Sequence, residues 1–480
     1  MSSESNSLSF FKNVLSFSYA SIITAAIGFF IIPFATRLFP PSEMGKINLF
    51  STVASLCSML AIAGIDQAYV RYHAESSNQR VLTRDSLQLS LIIWLIVSVI
   101  ILILREYLST LIIGYYSITL IVVLILYILF TNIQRFSSLD YRLRPDAFNY
   151  TMLLVLHSLA NNVLFYFVAF WNKTAVVALG IKTLLVILLS LFYILFMQRA
   201  FYGTVFNTSR ETEKSRILKF GLPLLPASIF YWINGSVAKF ILTRYWGYDA
   251  VGIFGIGLTL SSVVGIMQTG FNTFWAPYSM KNYKTELLRI QKVHHYIVCI
   301  LSLFVLCLML FQDIIFLLLG ASYRVSQMIF PFFLITHVLY TISETTGLGI
   351  PLSGKTYFQA LLVFLSMAIN IVLCFVLIPK YGLVGSAISI LIADLVMVSL
   401  RTILGQKYYK SVNSLKRTII TVIVLLITAS LNLFASRSER IIGTLFSLLV
   451  VFMIYRNEIS QLVKVLISFI RTFLKKANDN

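Results

Sequence analysis

The chain has 480 residues, of which 58% are hydrophobic and only 12% charged, and it carries a formal net charge of +20. With a mean hydropathy of +0.87, this composition excludes a soluble globular protein of such length and points to a polytopic membrane protein. The apolar runs are continuous and lack the alternation of an outer-membrane barrel, so the fold class expected is all-α.

Runs able to cross a ~30 Å hydrocarbon core fall in chain order at 13–36, 47–65, 86–104, 111–131, 148–171, 175–197, 220–243, 251–274, 296–312, 327–349, 357–378, 384–404, 418–434 and 441–455. That makes about fourteen transmembrane helices. The polar first dozen residues precede a full-length apolar run, a pattern that does not read as a cleavable signal peptide. After the last span, Ile459, Leu462, Val463, Leu466, Ile470, Phe473 and Leu474 form one helical stripe with Lys464, Arg471, Lys475 and Lys476 off it. This suits a helix lying in the membrane interface. Cys57, Cys299, Cys307 and Cys374 are scattered through apolar spans. Their spacing indicates neither a disulfide framework nor a metal site.

Lys and Arg divide between the two sides roughly three to one in favour of the side that holds the N-terminus. The positive-inside rule then places both termini in the cytoplasm. Because the basic residues line one membrane face, the net charge speaks for anionic lipid and not for a nucleic-acid partner.

The chain also repeats itself. At an offset of 207 residues, Lys12, Leu15, Ala20, Ser21, Ile22 and Gly28 match Lys219, Leu222, Ala227, Ser228, Ile229 and Gly235. Thr36, Arg37, Gly45, Thr52 and Ser55 then match Thr243, Arg244, Gly252, Thr259 and Ser262. Charged residues and glycines would not align through shared greasiness alone. Six spans per half is an even number, so the halves are expected to be parallel repeats related by an axis along the membrane normal. The expected organisation is a six-helix lobe over 1–218 and a second over 219–410. Two added helices over 411–457 and a basic amphipathic cytoplasmic tail over 458–480 complete it. Duplicated membrane units of this kind mark secondary transporters.

Enzyme chemistry is not indicated. There is no P-loop, no HExxH and no cofactor motif. No loop on the outer face is long enough to form the acceptor domain of a glycosyltransferase or polymerase. His294 and His295 are adjacent at a helix start and point to different sides. The informative residues are polar ones inside spans, where a charge costs ~2.5–3.5 kcal/mol and normally faces protein or water. Lys182 and Asp394 lie at matching depths in corresponding helices of the two halves. They could be a buried pair, a proton-responsive site or two separately satisfied charges. Lys239 lies five residues from the outer end of its span, so snorkelling competes with a role in a polar cavity. Glu344, His337, His157, Asn161, Asn162, Asn234 and Asn370 are further polar residues of the spans, each able to bridge helices by hydrogen bonds.

Three segments carry a family resemblance: Gly64-Ile65-Asp66-Gln67-Ala68-Tyr69-Val70-Arg71, Gly221-Leu222-Pro223-Leu224-Leu225-Pro226-Ala227-Ser228 and Ile378-Pro379-Lys380-Tyr381-Gly382-Leu383-Val384-Gly385-Ser386-Ala387. Together they resemble Wzx-type polysaccharide flippases of the multidrug/oligosaccharidyl-lipid/polysaccharide exporter superfamily. The resemblance implies two six-helix lobes around a cationic cavity. It also implies translocation of an undecaprenyl-diphosphate-linked oligosaccharide across the bacterial inner membrane, for O-antigen or another surface polysaccharide. Membrane lipids, a polysaccharide polymerase and a chain-length regulator are the partners it implies. Family members often carry an acidic-basic pair where this chain has Ala238-Lys239, so the basic position is kept without its acid. Expected substrate-binding residues are Lys239, Lys182, Arg71, Arg37, Arg244 and Asn234. Expected coupling-ion residues are Asp394, Glu344 and Asp66. A MATE-like cation-coupled drug exporter and a polymerase subunit of the same pathway remain the alternatives.

Overall fold

The computed structural model describes residues 23–24, 26–76, 78–144, 146–206, 212–355 and 357–464. Every regular element among them is helical. In chain order the first are α1 (Ala26–Leu38), α2 (Pro41–Ile62), α3 (Ile65–His73), α4 (Gln79–Ile103), α5 (Arg105–Ile113), α6 (Ile118–Leu143), α7 (Ala147–Asn162) and α8 (Ala175–Phe192). The short α9 (Arg199–Gly203) and α10 (Lys214–Gly221) lead into α11 (Leu225–Asn282). Then come α12 (Leu287–Leu310), α13 (Gln312–Leu317), α14 (Phe330–Thr346), α15 (Gly349–Leu352), α16 (Tyr357–Tyr408), α17 (Lys416–Phe434), α18 (Arg437–Ile454) and α19 (Arg456–Lys464).

Local chemistry sets several boundaries. Pro41 starts α2, where its missing N–H is no loss. Ala63 and Gly64, both left-handed, stop it and turn the chain into α3. Asn78, Ser117 and Asp146 accept from backbone N–H groups at the starts of α4, α6 and α7. Ser436 and Glu439 close a reciprocal capping box on α18.

Among the described residues, nine helices are long and apolar enough to cross a membrane, or up to eleven if each of two bent pairs is one span. The expected fourteen is therefore not established, and the difference has identifiable causes. Two pairs of expected spans run together, in α11 and in α16. Each of these long helices passes through one non-helical glycine, Gly247 and Gly382 respectively. At 58 and 52 residues, and ~1.5 Å of rise per residue, either would exceed twice a ~30 Å core. Residues 13–22 and 25 of the expected span 13–36 lie outside the described residues, and its residues 26–36 form most of α1. The interfacial stripe beyond Lys464 also lies outside them; its described start, α19, bends 77° from α18.

The chain forms two compact units. The first comprises Met1–Thr259 with Leu319–Tyr323, and the second Leu260–Leu318 with Arg324–Asn480. In the first, α2 packs on α4, α5, α6 and α8, and α6 lies along α8. In the second, α14 lies along α16, while α12 meets α14, α17 and α18. The second unit is fastened by buried polar contacts. His294 bridges Thr345 Oγ1 at 2.7 Å and Thr418 Oγ1 at 2.8 Å. It is thus a buried linking residue, where the sequence suggested only a polar helix start.

Candidate functional site

Within the first unit, the α11 stretch 225–259 lies against α2, and the sequence repeat shows why it can come so close. A methyl group at Gly45 would overlap the Tyr248 carbonyl, and one at Gly252 would overlap the Pro41 carbonyl. Gly45 and Gly252 are matched positions of the 207-residue repeat, and Pro41 and Tyr248 are related by the same offset. The contact is therefore symmetric about the duplication. Small residues at both positions allow the two backbones to touch, as at other close helix crossings in membranes.

Along this crossing lies a polar cluster. Lys239 Nζ donates to Thr52 Oγ1 at 3.0 Å. Trp232 Nε1 donates to the Thr52 carbonyl at 3.1 Å and to Ser55 Oγ at 3.0 Å. One turn of α2 thus receives both a cation and an indole from two turns of α11, because residues seven apart lie on one helical face. Thr52 is buried, Lys239 and Trp232 half-buried, and Ser55 exposed. Asn234 lies half-buried on the same stretch of α11. No acid pairs with Lys239 among the described residues. The arrangement is that of a cation held by a neutral hydroxyl inside an apolar helical stretch.

Lys182 is held differently. It is buried on α8, with Nζ 5.4 Å from the Tyr127 ring centroid and 5.3 Å from that of Phe165. Tyr127 in turn donates to Asn161 Oδ1 at 2.9 Å. Two ring faces supply cation–π attraction in place of a counter-ion. Among the described residues Lys182 and Asp394 each lack an ion-pair partner, and Asp394 is half-buried on α16.

The remaining expected residues are placed as follows. Arg71 is exposed on α3 and pairs with Glu75 one turn on, at 3.0 Å. Asp66 receives two donations from Arg135, at 2.8 and 3.1 Å. Glu344 pairs with Arg401 at 2.8 Å, and Arg401 also donates to Ser343 Oγ at 3.0 Å. Arg244 is exposed near the end of the first arm of α11. Arg37 is exposed and lines a separate pocket with Lys173. Sequence reasoning missed Thr52, Ser55 and Trp232, Tyr127 and Phe165, and the arginine partners Arg135 and Arg401. Thr52 and Ser55 did carry a signal, since both are identities of the repeat.

The description "Polysaccharide biosynthesis protein" matches residues 10–283, more than half of the chain. The chain belongs to the polysaccharide biosynthesis protein family. A capsular polysaccharide biosynthesis protein, CapF of Staphylococcus aureus, is 22% identical over 399 residues, covering 80% of this chain and 96% of that protein. Among solved structures, the lipid II flippase MurJ in an inward closed conformation has the same fold with a TM-score of 0.70. The match covers 92% of this chain and 99% of MurJ at 14% identity. An inward-facing MATE multidrug transporter matches with a TM-score of 0.58 at 20% identity, covering 81% of this chain and 94% of its own. This family member therefore shares the all-helical fold of MurJ and the MATE transporter.

Proposed function

We propose that this protein is a flippase that moves an undecaprenyl-diphosphate-linked oligosaccharide from the inner to the outer leaflet of the bacterial inner membrane. Its product would be a surface polysaccharide, capsule or O-antigen. The observation that carries this reading is Lys239, a cation in an apolar helical stretch that is tied to a hydroxyl and, among the described residues, to no acid. A diphosphate cannot enter hydrocarbon unaided, and a cation without a carboxylate suits it, whereas a drug exporter for organic cations would want the reverse. Family membership and the capsular relative support polysaccharide as the substrate class.

In this reading two parallel six-helix lobes, 1–218 and 219–410, alternate access, while the polyprenyl tail stays in lipid. Residues 411–457 add two helices, and 458–480 form a basic cytoplasmic tail. Both termini are cytoplasmic by the distribution of Lys and Arg. Lys239 and Asn234 line the path with Lys182, Arg37, Arg71 and Arg244 as further contacts. Asp394 is the acid open to a coupling ion, while Glu344 and Asp66 would take one only by releasing Arg401 and Arg135. A polymerase and a chain-length regulator would act on the product at the outer face.

Deleting the gene tests this directly. The deletion strain is expected to accumulate lipid-linked repeat units on the cytoplasmic leaflet. Single repeats exposed on the outer leaflet would instead indicate a polymerase defect, and intact polysaccharide with altered drug tolerance a multidrug exporter.

A further inference from the structure

A second cationic site in the first unit shares no lining residue with the Lys239 cluster. A cavity of about 440 Å³ is lined by residues 36–41, 173 and 320–323. Its frame is rigid. Tyr323 is fully buried and donates to the Phe39 carbonyl at 2.9 Å, and the Gly320 N–H donates to Thr36 Oγ1 at 3.2 Å. A methyl group at Gly320 would overlap the Thr36 carbonyl, so the 319–323 segment sits backbone-to-backbone on the end of α1. Pro40 and Pro41 fix the turn into α2 beside it.

The lining residues carry charge of one sign, although the Asp249 carboxylate lies close enough to act on Tyr323. Arg37 and Lys173 both line the cavity, and no carboxylate does. Neither cation has an ion-pair partner among the described residues. The Ser322 hydroxyl adds a further donor to the lining. Arg80, Arg105, Arg142, Arg199, Lys219 and Arg244 are also exposed without an ion pair among the described residues, and several other cations of this unit are committed. Lys46 pairs with Glu43, Arg71 with Glu75, and Arg216 with both Glu75 and Glu213. Two cations left unpaired in one preformed pocket mark a place where an anion supplies the missing charge.

We propose that this pocket binds the phosphate of a lipid headgroup at the outer face of the membrane. The placement at the outer face rests on the orientation proposed above; the binding itself does not depend on transport. Guanidinium and ammonium groups both make charge-assisted hydrogen bonds to phosphate, and a guanidinium can do so with two parallel bonds. The volume accommodates a phosphate or diphosphate with part of its attached group. The phosphate could come from a resident anionic phospholipid or from a polyprenyl diphosphate carried outward, and the test separates these sources.

The full-length protein in phosphatidylcholine nanodiscs is treated with an amine-reactive reagent, and labelling of Lys173 is followed by peptide mass spectrometry. The probes are 20 mol% phosphatidylglycerol and undecaprenyl diphosphate. Slowed labelling of Lys173 with either probe supports the site, and the probe that protects identifies the source. In Arg37→Gln the concentration of that probe needed for protection should rise about fivefold, the effect of one cation near a membrane surface. Arg37→Lys should restore most of the protection. Unchanged Lys173 labelling with both probes would overturn the proposal. So would undiminished protection in Arg37→Gln, since Lys173 would then be shielded without the pocket's second cation. Both substitutions are at an exposed position, and a far-ultraviolet circular dichroism spectrum verifies folding.

Discussion

The ammonium of Lys239 reaches Thr52 Oγ1 across 3.0 Å, joining α11 to α2 at the turn that also accepts the Trp232 indole. Thr52 satisfies one of three ammonium donors and contributes no negative charge. The bond therefore positions the lysine without neutralising its charge.

This gives the first prediction. A hydrogen bond involving a charged group is worth about 1.5–3 kcal/mol. Lys239→Ala should lower polysaccharide export by roughly tenfold or more at unchanged protein level, and Lys239→Arg should retain much of it. Thr52→Val should produce a milder loss, since it frees the lysine without removing the charge. Export by the alanine variant equal to wild type would leave Lys239 as an interfacial lysine with no role in the path.

The crossing of Gly45 and Gly252 carries the second. Each alanine substitution places a methyl group onto a carbonyl of the opposing backbone, an overpacking that costs about 1–3 kcal/mol. Gly45→Ala and Gly252→Ala should each lower the melting temperature of detergent-purified protein. Because the two residues share one contact, the double variant should lose less than the sum of the two. Strict additivity of the melting shifts would show that the glycines act at independent places.

Much of this was legible in the sequence, and the boundary is physical. Continuous apolar runs announced an all-helical membrane fold because lipid forces every backbone bond to close within its own segment. The repeat marked Gly45, Gly252, Thr52 and Ser55 as special without telling what they touch, since alignment records position and not direction. The sequence places span breaks at 243–251 and 378–384, and single glycines, Gly247 and Gly382, interrupt long helices within those gaps. Partners escaped where they come from distant segments. Glu344 reads as a residue able to bridge helices, but its partner Arg401, 57 residues on, is not named by the sequence. Aromatic rings near Lys182 were indistinguishable in sequence from the many other apolar residues of those spans.

Lys182 offers the third prediction. Its charge is held by the faces of Tyr127 and Phe165, an interaction worth about 0.5–2 kcal/mol. That is too small to offset fully the cost of holding a charge away from water. Lys182→Met keeps the stem's packing and removes the charge, so thermal stability should hold or rise. If the lysine serves the substrate path, export should fall in the same variant. A drop in melting temperature would instead assign Lys182 a structural role.

The pair Arg401–Glu344 is expected to behave in the opposite way. Arg401 is 5% exposed and makes its ion pair at 2.8 Å. Removing one member of a buried pair leaves the other uncompensated, typically at a cost of about 3 kcal/mol. Arg401→Met should therefore destabilise the second unit strongly, and Arg401→Met combined with Glu344→Gln should recover part of the loss. Proteolysis of the purified variants, read at sites in α14 and α16, measures both effects.

The last prediction concerns pH. Asp313, on α13 between spans, accepts from Gln327 Nε2 at 2.5 Å, from Arg437 Nε at 2.8 Å and from Arg440. Burial alone would raise its pKa, but the Gln327 donation and the charges and hydrogen bonds of Arg440 and Arg437 together hold it below the ordinary 3.8. A carboxyl whose folded pKa is depressed stabilises the fold fully above its unfolded value. That contribution drains away as pH falls through the folded pKa. Melting curves should therefore show the α13 contacts with α18 contributing at neutral pH and fading below about pH 4. Asp313→Asn should lower the melting temperature at pH 7, and the gap to wild type should narrow as the pH is taken below 4. A gap of constant size across that range would mean that the side chain's shape, and not its charge, fastens α18.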